Sequence, residues 1–352
     1  MNLKVLVGLI VGLVLAWLAV RGVDLSGVWE EISALPAWVW LSVAALFLLQ
    51  QLLRAWRQQL LLQPVAPETT LRTNLSVLCI SFFCINTFPM RLGELVRPYL
   101  FMERERISIG AGFGVVALER LLDLASAIAV LFAVLLILDL PDSVVVVAGQ
   151  EVDLFEIGRR MAMVGLFPLF FLLLAMAAAP SKVIALVRWC AELAGRLLPF
   201  GPVRRLSGMM ERFSESFLDG VGTLREPSRL ASVLALTAIT WGSSGFIYVI
   251  LAHGFGLEGI GWGAGMGVLV ITMLGTALPA PPGFAGVYEF SVVTALALFG
   301  VGHELAEVAL AFALVVHWWT WLVQSSTALF FFVVDGVSLK QTIDYTRRST
   351  TA

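Results

Sequence analysis

Seven ionisable side chains of this sequence stand where charge is expensive. Arg91, Glu94 and Arg97 recur three residues apart in MRLGELVRPYL (90 to 100), Glu119, Arg120 and Asp123 lie inside the apolar run 109 to 138, and Glu289 follows a Pro-rich break. Such a residue costs about 2.5 to 3.5 kcal/mol at the centre of a membrane span, so it normally faces a partner or a wet cavity. Two arginines near a helix start, with free backbone N–H groups and the positive end of the dipole, suit an anion such as a phosphate. Glu119 and Asp123 share a helix face at i,i+4, and Arg120 reaches Asp123 at i,i+3. The set carries three positive and four negative charges, which favours pairing. A salt-bridge network holding two helices together is therefore a second reading, compatible with the first.

His317 sits inside the last apolar run, followed by Trp318, Trp319 and Trp321. Histidine titrates near neutral pH and can act as a proton-sensitive switch, but a neutral, hydrogen-bonded ring is the preferred expectation. The tryptophans are expected to pack or to line a cavity. No HExxH, G-x-S-x-G, Walker A or Cys/His cluster is present, so no catalytic residue, metal ligand or cofactor is assigned. Cys79, Cys84 and Cys190 fit no metal spacing and are expected to be packing residues.

The elements that must hold these side chains follow from composition. Of 352 residues 59% are hydrophobic and 14% charged, against roughly half and a quarter in a soluble domain, and a soluble reading is excluded. With 23 basic and 25 acidic residues there is no basic field for nucleic acid. Apolar runs at about 3 to 20, 38 to 53, 74 to 89, 109 to 138, 159 to 179, 230 to 252, 262 to 280, 284 to 300 and 306 to 334 predict an all-α polytopic membrane protein of about eight membrane segments. The first run is expected to be a retained helix rather than a signal peptide.

With both termini in the cytoplasm, the stretches 54 to 72, 97 to 106, 182 to 229 and 340 to 348, with Lys4, put 18 of 23 basic residues inside, while 139 to 156 carries five carboxylates and no basic residue. Segment 74 to 96 must then leave and return on the inner side, and segment 262 to 300 on the outer side. Each breaks at Pro and Gly, at Asn86 to Glu94 in the first and at Thr276 to Gly283 in the second. Two oppositely oriented broken or re-entrant hairpins are the mark of an inverted repeat with a midplane site; two ordinary kinked hairpins are the plainer alternative. Residues 1 to 335 form one transmembrane domain, amphipathic cytoplasmic helices are inserted at 181 to 229, and 336 to 352 is a cytoplasmic tail.

The stretches MRLGELVRPYL (90 to 100), ERLLDL (119 to 124) and PAPPGFAGVYEF (279 to 290) together resemble the flippase-like integral membrane family of the lysylphosphatidylglycerol synthase transmembrane region, also called UPF0104. The resemblance runs in motif order from about residue 8 to 334. It implies an inner-membrane protein of the cell envelope. In the two-part synthase the matching region is implicated in moving an aminoacylated phospholipid between leaflets, while a separate soluble domain performs the transfer, so the resemblance supports transport and not synthase activity. Its patterns fall on Arg91, Gly93, Glu94 and Arg97, on Glu119, Arg120 and Asp123, and on Pro279, Gly283 and Glu289. Members often have an arginine in the last span where this chain has His317, which stays a candidate on its own chemistry.

The expected function is a flippase-like lipid transporter, with a phospholipid or polyprenyl-phosphate lipid bound at these residues, and not an enzyme. Its alternative is a non-transporting membrane partner of an envelope lipid synthase or glycosyltransferase. An intramembrane lipid transferase is a third reading, which lacks a nucleophile and base at recognisable spacing.

Overall fold

A computed structural model describes residues 3–87, 93–137, 144–147, 150–153, 226–277 and 280–337, with single positions at 160, 179, 182, 185 and 189. Arg91, Pro279, Cys190, nearly all of 159 to 179 and of 181 to 225, and the tail from 338 lie outside the described residues.

The described residues are helical almost throughout. Helix α1 (Leu3–Val20) ends at Gly22, whose φ of 78° is open to glycine. Asp24 then caps α2 (Leu25–Ala34) by accepting from the Ser26 amide at 3.0 Å. The two helices meet at 81°. Helix α3 spans Ala37–Leu62, α4 Leu71–Thr87, α5 Gly93–Glu105 and α6 Ile109–Ile137. A short antiparallel ladder, Val144–Val147 with Gln150–Asp153, falls in the stretch expected as an outer loop. Helix α7 (Pro227–Gly254) starts with proline at its first turn, and α8 (Trp262–Gly275) and α9 (Val287–Leu298) flank a 3₁₀ turn at Pro282–Phe284. The last run is α10 (Ala306–Leu314), a π-helical turn (Val315–Trp319) and α11 (Thr320–Val334).

Among the described residues, three helical runs are long and apolar enough to cross a bilayer alone: Ala37–Leu62, Pro227–Gly254 and His303–Val334, with the bent pair α1–α2 as a fourth. Helices α4, α5, α8 and α9 have 17, 13, 14 and 12 residues. At 1.5 Å per residue these reach only about 18 to 26 Å, short of a hydrocarbon core of about 30 Å.

Two large apolar cores, with two smaller clusters beside them, are found among the described residues. Leu61, Leu62, Ile80, Val96, Phe101, Val115, Val233 and Phe331 belong to one, which contains the α4–α5 hairpin. Val39, Val43, Leu251, Val268, Leu296, Phe312 and Val316 belong to the other, which contains α8 and α9. The three long runs pass through both.

The open end of the first hairpin lies at the foot of α11, where Asp335 pairs with Arg72 at 2.7 Å and Arg104 at 2.9 Å. That of the second lies by the start of α3, where Leu257 and Val301 pack with Leu35 and Val39. Their broken tips meet, since a Cβ on Gly283 would stand 3.7 Å from the Asn86 carbonyl oxygen. Glycine permits α5 to close on α4 and the second tip to approach α1. A Cβ at Gly93 would collide with the backbone of Cys84 and Ile85, and one at Gly286 (φ 81°) with the Gly12 carbonyl.

Candidate functional site

Helix α3 supplies what the sequence reading missed. The apolar run ends at residue 53 by hydropathy, which leaves Arg54 and Arg57 to the cytoplasmic stretch 54 to 72, but the helix continues to Leu62 and both lie within it. The signal was available as a polar stripe, Gln50, Gln51, Arg54, Arg57 and Gln58, at helical spacing.

Arg57 is 1% exposed and turns to α6. Its two terminal nitrogens donate to the Asp123 carboxylate at 2.7 and 3.2 Å, one of them also to the Thr237 hydroxyl at 3.1 Å, and it stands 3.4 Å from Glu119. Arg97 donates to Glu119 at 2.9 Å, with both side chains 1% exposed. Glu119 is thus gripped between two guanidinium groups from different helices. Arg120 pairs instead with Glu94 at 3.1 Å, in a half-exposed bond. The expectation that Arg120 would reach Asp123 along its own helix is overturned. Asp123 lies toward α3, where Arg57 offers it two parallel hydrogen bonds, a geometry that a neighbour on the same helix cannot match.

Phe82 of α4 gathers three of these arginines. The guanidinium carbons of Arg97, Arg54 and Arg120 lie 5.0, 5.4 and 5.8 Å from its ring centroid, within reach of the cation–π attraction. Arg54 has no carboxylate paired with it among the described residues. Four arginines (54, 57, 97 and 120) therefore face three carboxylates (Glu94, Glu119 and Asp123), reversing the balance read from the sequence. Gly93 sets this geometry, because its missing side chain lets α5 lie against α4 with Glu94 and Arg97 facing α6.

The second candidate group assembles at the other hairpin. Glu289 stands in the first turn of α9, where one oxygen accepts from the Gly286 amide at 2.7 Å and the other lies 2.7 Å from His317 Nδ1. The ring N–H donates there, in line with the expected hydrogen-bonded histidine. Tyr288 stacks on the imidazole, with centroids 4.2 Å apart and planes at 13°, and its hydroxyl is 3.0 Å from that of Tyr248 on α7. His317 lies in the π-helical turn, a feature that recurs at functional sites. Trp318 packs on the imidazole at 4.6 Å, and Trp319 donates to the Trp40 carbonyl at 3.0 Å.

The candidates thus form two groups rather than one: Gly93, Glu94, Arg97, Glu119, Arg120 and Asp123 with Arg54 and Arg57, and Gly283, Glu289 and His317 with Tyr288. Arg91 and Pro279 lie outside the described residues. Cys79 and Cys84 are buried, as packing residues are. Among the described residues no three His, Cys, Asp or Glu side chains are placed to hold a metal ion.

The family model described as the lysylphosphatidylglycerol synthase TM region matches residues 5–326. No curated protein and no solved structure matches the chain.

Proposed function

The chain belongs to the lysylphosphatidylglycerol synthase TM-region family, and from that premise we propose that it is a flippase-like transporter of an anionic lipid, either a phospholipid or a polyprenyl-phosphate-linked lipid. The observation that carries the reading is the surplus of arginine around Phe82. Its parts divide the labour. The Arg57–Glu119–Arg97 group is sealed from solvent and holds α3, α5 and α6 together. Arg54 and the half-exposed Arg120–Glu94 pair are the part a headgroup phosphate can reach, with Arg91 on the same hairpin by sequence. A phosphate would neutralise the extra charge and take the donors that Arg54 does not spend on a carboxylate.

In this reading the hairpins α4–α5 and α8–α9 are the matching parts of an inverted repeat. Rocking of the two cores about the long helices would open the site to each leaflet in turn. The protein sits in the inner membrane with both termini cytoplasmic, and no chemical step on the lipid is involved.

The test uses the full chain in phosphatidylcholine–phosphatidylglycerol vesicles carrying fluorescent phosphatidylglycerol, with outer-leaflet label quenched by dithionite. Arg54→Gln should slow lipid movement about tenfold, the equivalent of one charge-assisted hydrogen bond of about 1.4 kcal/mol. Its thermal midpoint should be close to wild type, because no ion pair is lost. A folded Arg54→Gln protein that moves lipid at the wild-type rate overturns the reading.

A further inference from the structure

The two charged groups are separated along the long helices, and buried polar side chains recur between them. Antiparallel contacts fix the register of α3 on α7: Trp38 lies on His253 at 5.9 Å, and Arg57 bonds Thr237 at 3.1 Å. That register sets Gln50 and Gln51 beside the stretch Ser243–Ser244, and Arg54 beside Thr240. From the third long run, Gln324 accepts from the Gln51 amide and itself donates to the Cys79 carbonyl at 3.1 Å, with Ser325 next to it. Hydroxyls at Thr237, Thr240, Ser244 and Tyr248 recur down one stripe of α7, from the Arg57–Asp123 bond to the Tyr288 that stacks on His317.

Four buried polar atoms in this interval have no hydrogen-bond partner among the described residues: Gln50 Nε2, Gln51 Oε1, Thr240 Oγ1 and Ser325 Oγ. Buried polar groups are almost always satisfied, and where protein does not satisfy them bound water does. Four such atoms, contributed by all three long runs, form a polar seam whose missing hydrogen bonds water would supply. At one end is the Glu289–His317 pair. Tyr288 faces it from α9 and Tyr248 stands behind from α7; among the described residues no other ionisable group pairs with either member. At the other end are Asp123 and Glu119, whose Oε2 is also without a partner.

We propose that Glu289 and His317 form a proton-binding site joined to the arginine cluster by this seam. A proton taken up by the pair gives imidazolium beside carboxylate, and leaves through the hydroxyls and water to the carboxylate of Asp123 or Glu119. Neutralising either carboxylate loosens its arginine and adds one positive charge to the cluster. Proton and anion then bind in mutual support, and by linkage each strengthens the other. This goes further than the transport reading and rests on it for the anion.

Two measurements on the full chain separate the two claims. In the vesicles above, an imposed pH gradient should speed movement of fluorescent phosphatidylglycerol by about fivefold or more, the low end of measured couplings. Thr240→Val with Ser325→Ala, which removes two hydroxyls and no protein hydrogen bond, should lose that stimulation and keep the gradient-free rate. Equal stimulation in this variant, or a wild-type rate indifferent to the gradient, overturns the proposal.

The second measurement is hydroxyl-radical labelling read by mass spectrometry. Tyr248 and His317, 3% and 5% exposed, should be labelled through seam water, and several-fold less so in the double variant. If wild type moves no lipid but shows this labelling, the transport reading fails and the hydrated seam stands. If neither side chain is labelled, the seam is overturned whatever the vesicles give.

Discussion

At the scale of single residues, the charges divide by what surrounds them. Glu119 lies between Arg57 and Arg97, all three 1% exposed. Removing one member of a buried group leaves the others uncompensated, at about 3 to 5 kcal/mol. Glu119→Gln should therefore lower the thermal midpoint sharply in detergent micelles, and a midpoint equal to wild type would refute a structural role for the triad. Arg120→Gln breaks only a half-exposed pair, and should cost under about 1 kcal/mol while slowing lipid movement. That Glu94, Arg97, Glu119, Arg120 and Asp123 would find partners was legible because charge in an apolar run needs a reason. Their pairing was not, because a side chain's nearest neighbour in sequence competes with partners on other helices. Arg57 outbids Arg120 for Asp123 by geometry that one helix cannot display.

At the scale of elements, the hairpins were legible from Pro and Gly, and the long helices after them nearly to the residue, at Ile109–Ile137 and Ala306–Val334. Helix α3 was not, because Arg54 and Arg57 look like an end to a hydropathy scan. Only the contacts with α4, α6 and α7 show them to be interior. The glycines of the hairpins can be ranked in the same terms. Gly93→Ala sets a Cβ into the Cys84–Ile85 backbone, which has no flexible end to yield, so the loss should reach or exceed the roughly 1 to 3 kcal/mol of ordinary overpacking. Gly112→Ala places its Cβ 3.2 Å from the Pro98 Cα, and should be milder. Thermal unfolding of both variants checks the order, and the reverse order would show that the α4–α5 approach is not the tight one.

At the scale of the whole molecule, three long helical runs carry two cores, each core holds one short hairpin, and the hairpin tips touch at Asn86 and Gly283. One clasp ties the ends of α4, α5 and α11. The Asp335 carboxylate bonds Arg72, Arg104 and the Ser76 hydroxyl. Burial pushes its pKa up, but the Ser76 bond and the Arg104 and Arg72 charges outweigh that and hold it below the ordinary carboxyl value. A carboxyl depressed in the folded state stabilises above its unfolded pKa of about 3.9, and loses that stabilisation as pH falls through the folded value. The thermal midpoint of wild type should therefore fall more steeply below about pH 4 than that of Asp335→Asn. Parallel curves for the two proteins would show that the clasp contributes nothing.

The sequence by itself determined that this chain is a helical membrane protein, where its helices break, and which charges lie within or beside its apolar runs. Each of these rests on a local cost, of apolar surface in water, of proline and glycine in a helix, and of charge in hydrocarbon. Tertiary structure alone decided that Arg54 and Arg57 belong to the arginine cluster, that Glu289 meets His317, and that polar side chains from three runs line the interval between. Those facts depend on register and rotation between helices far apart in sequence. Such positions are set by the packing of whole faces, which no local pattern of residues encodes.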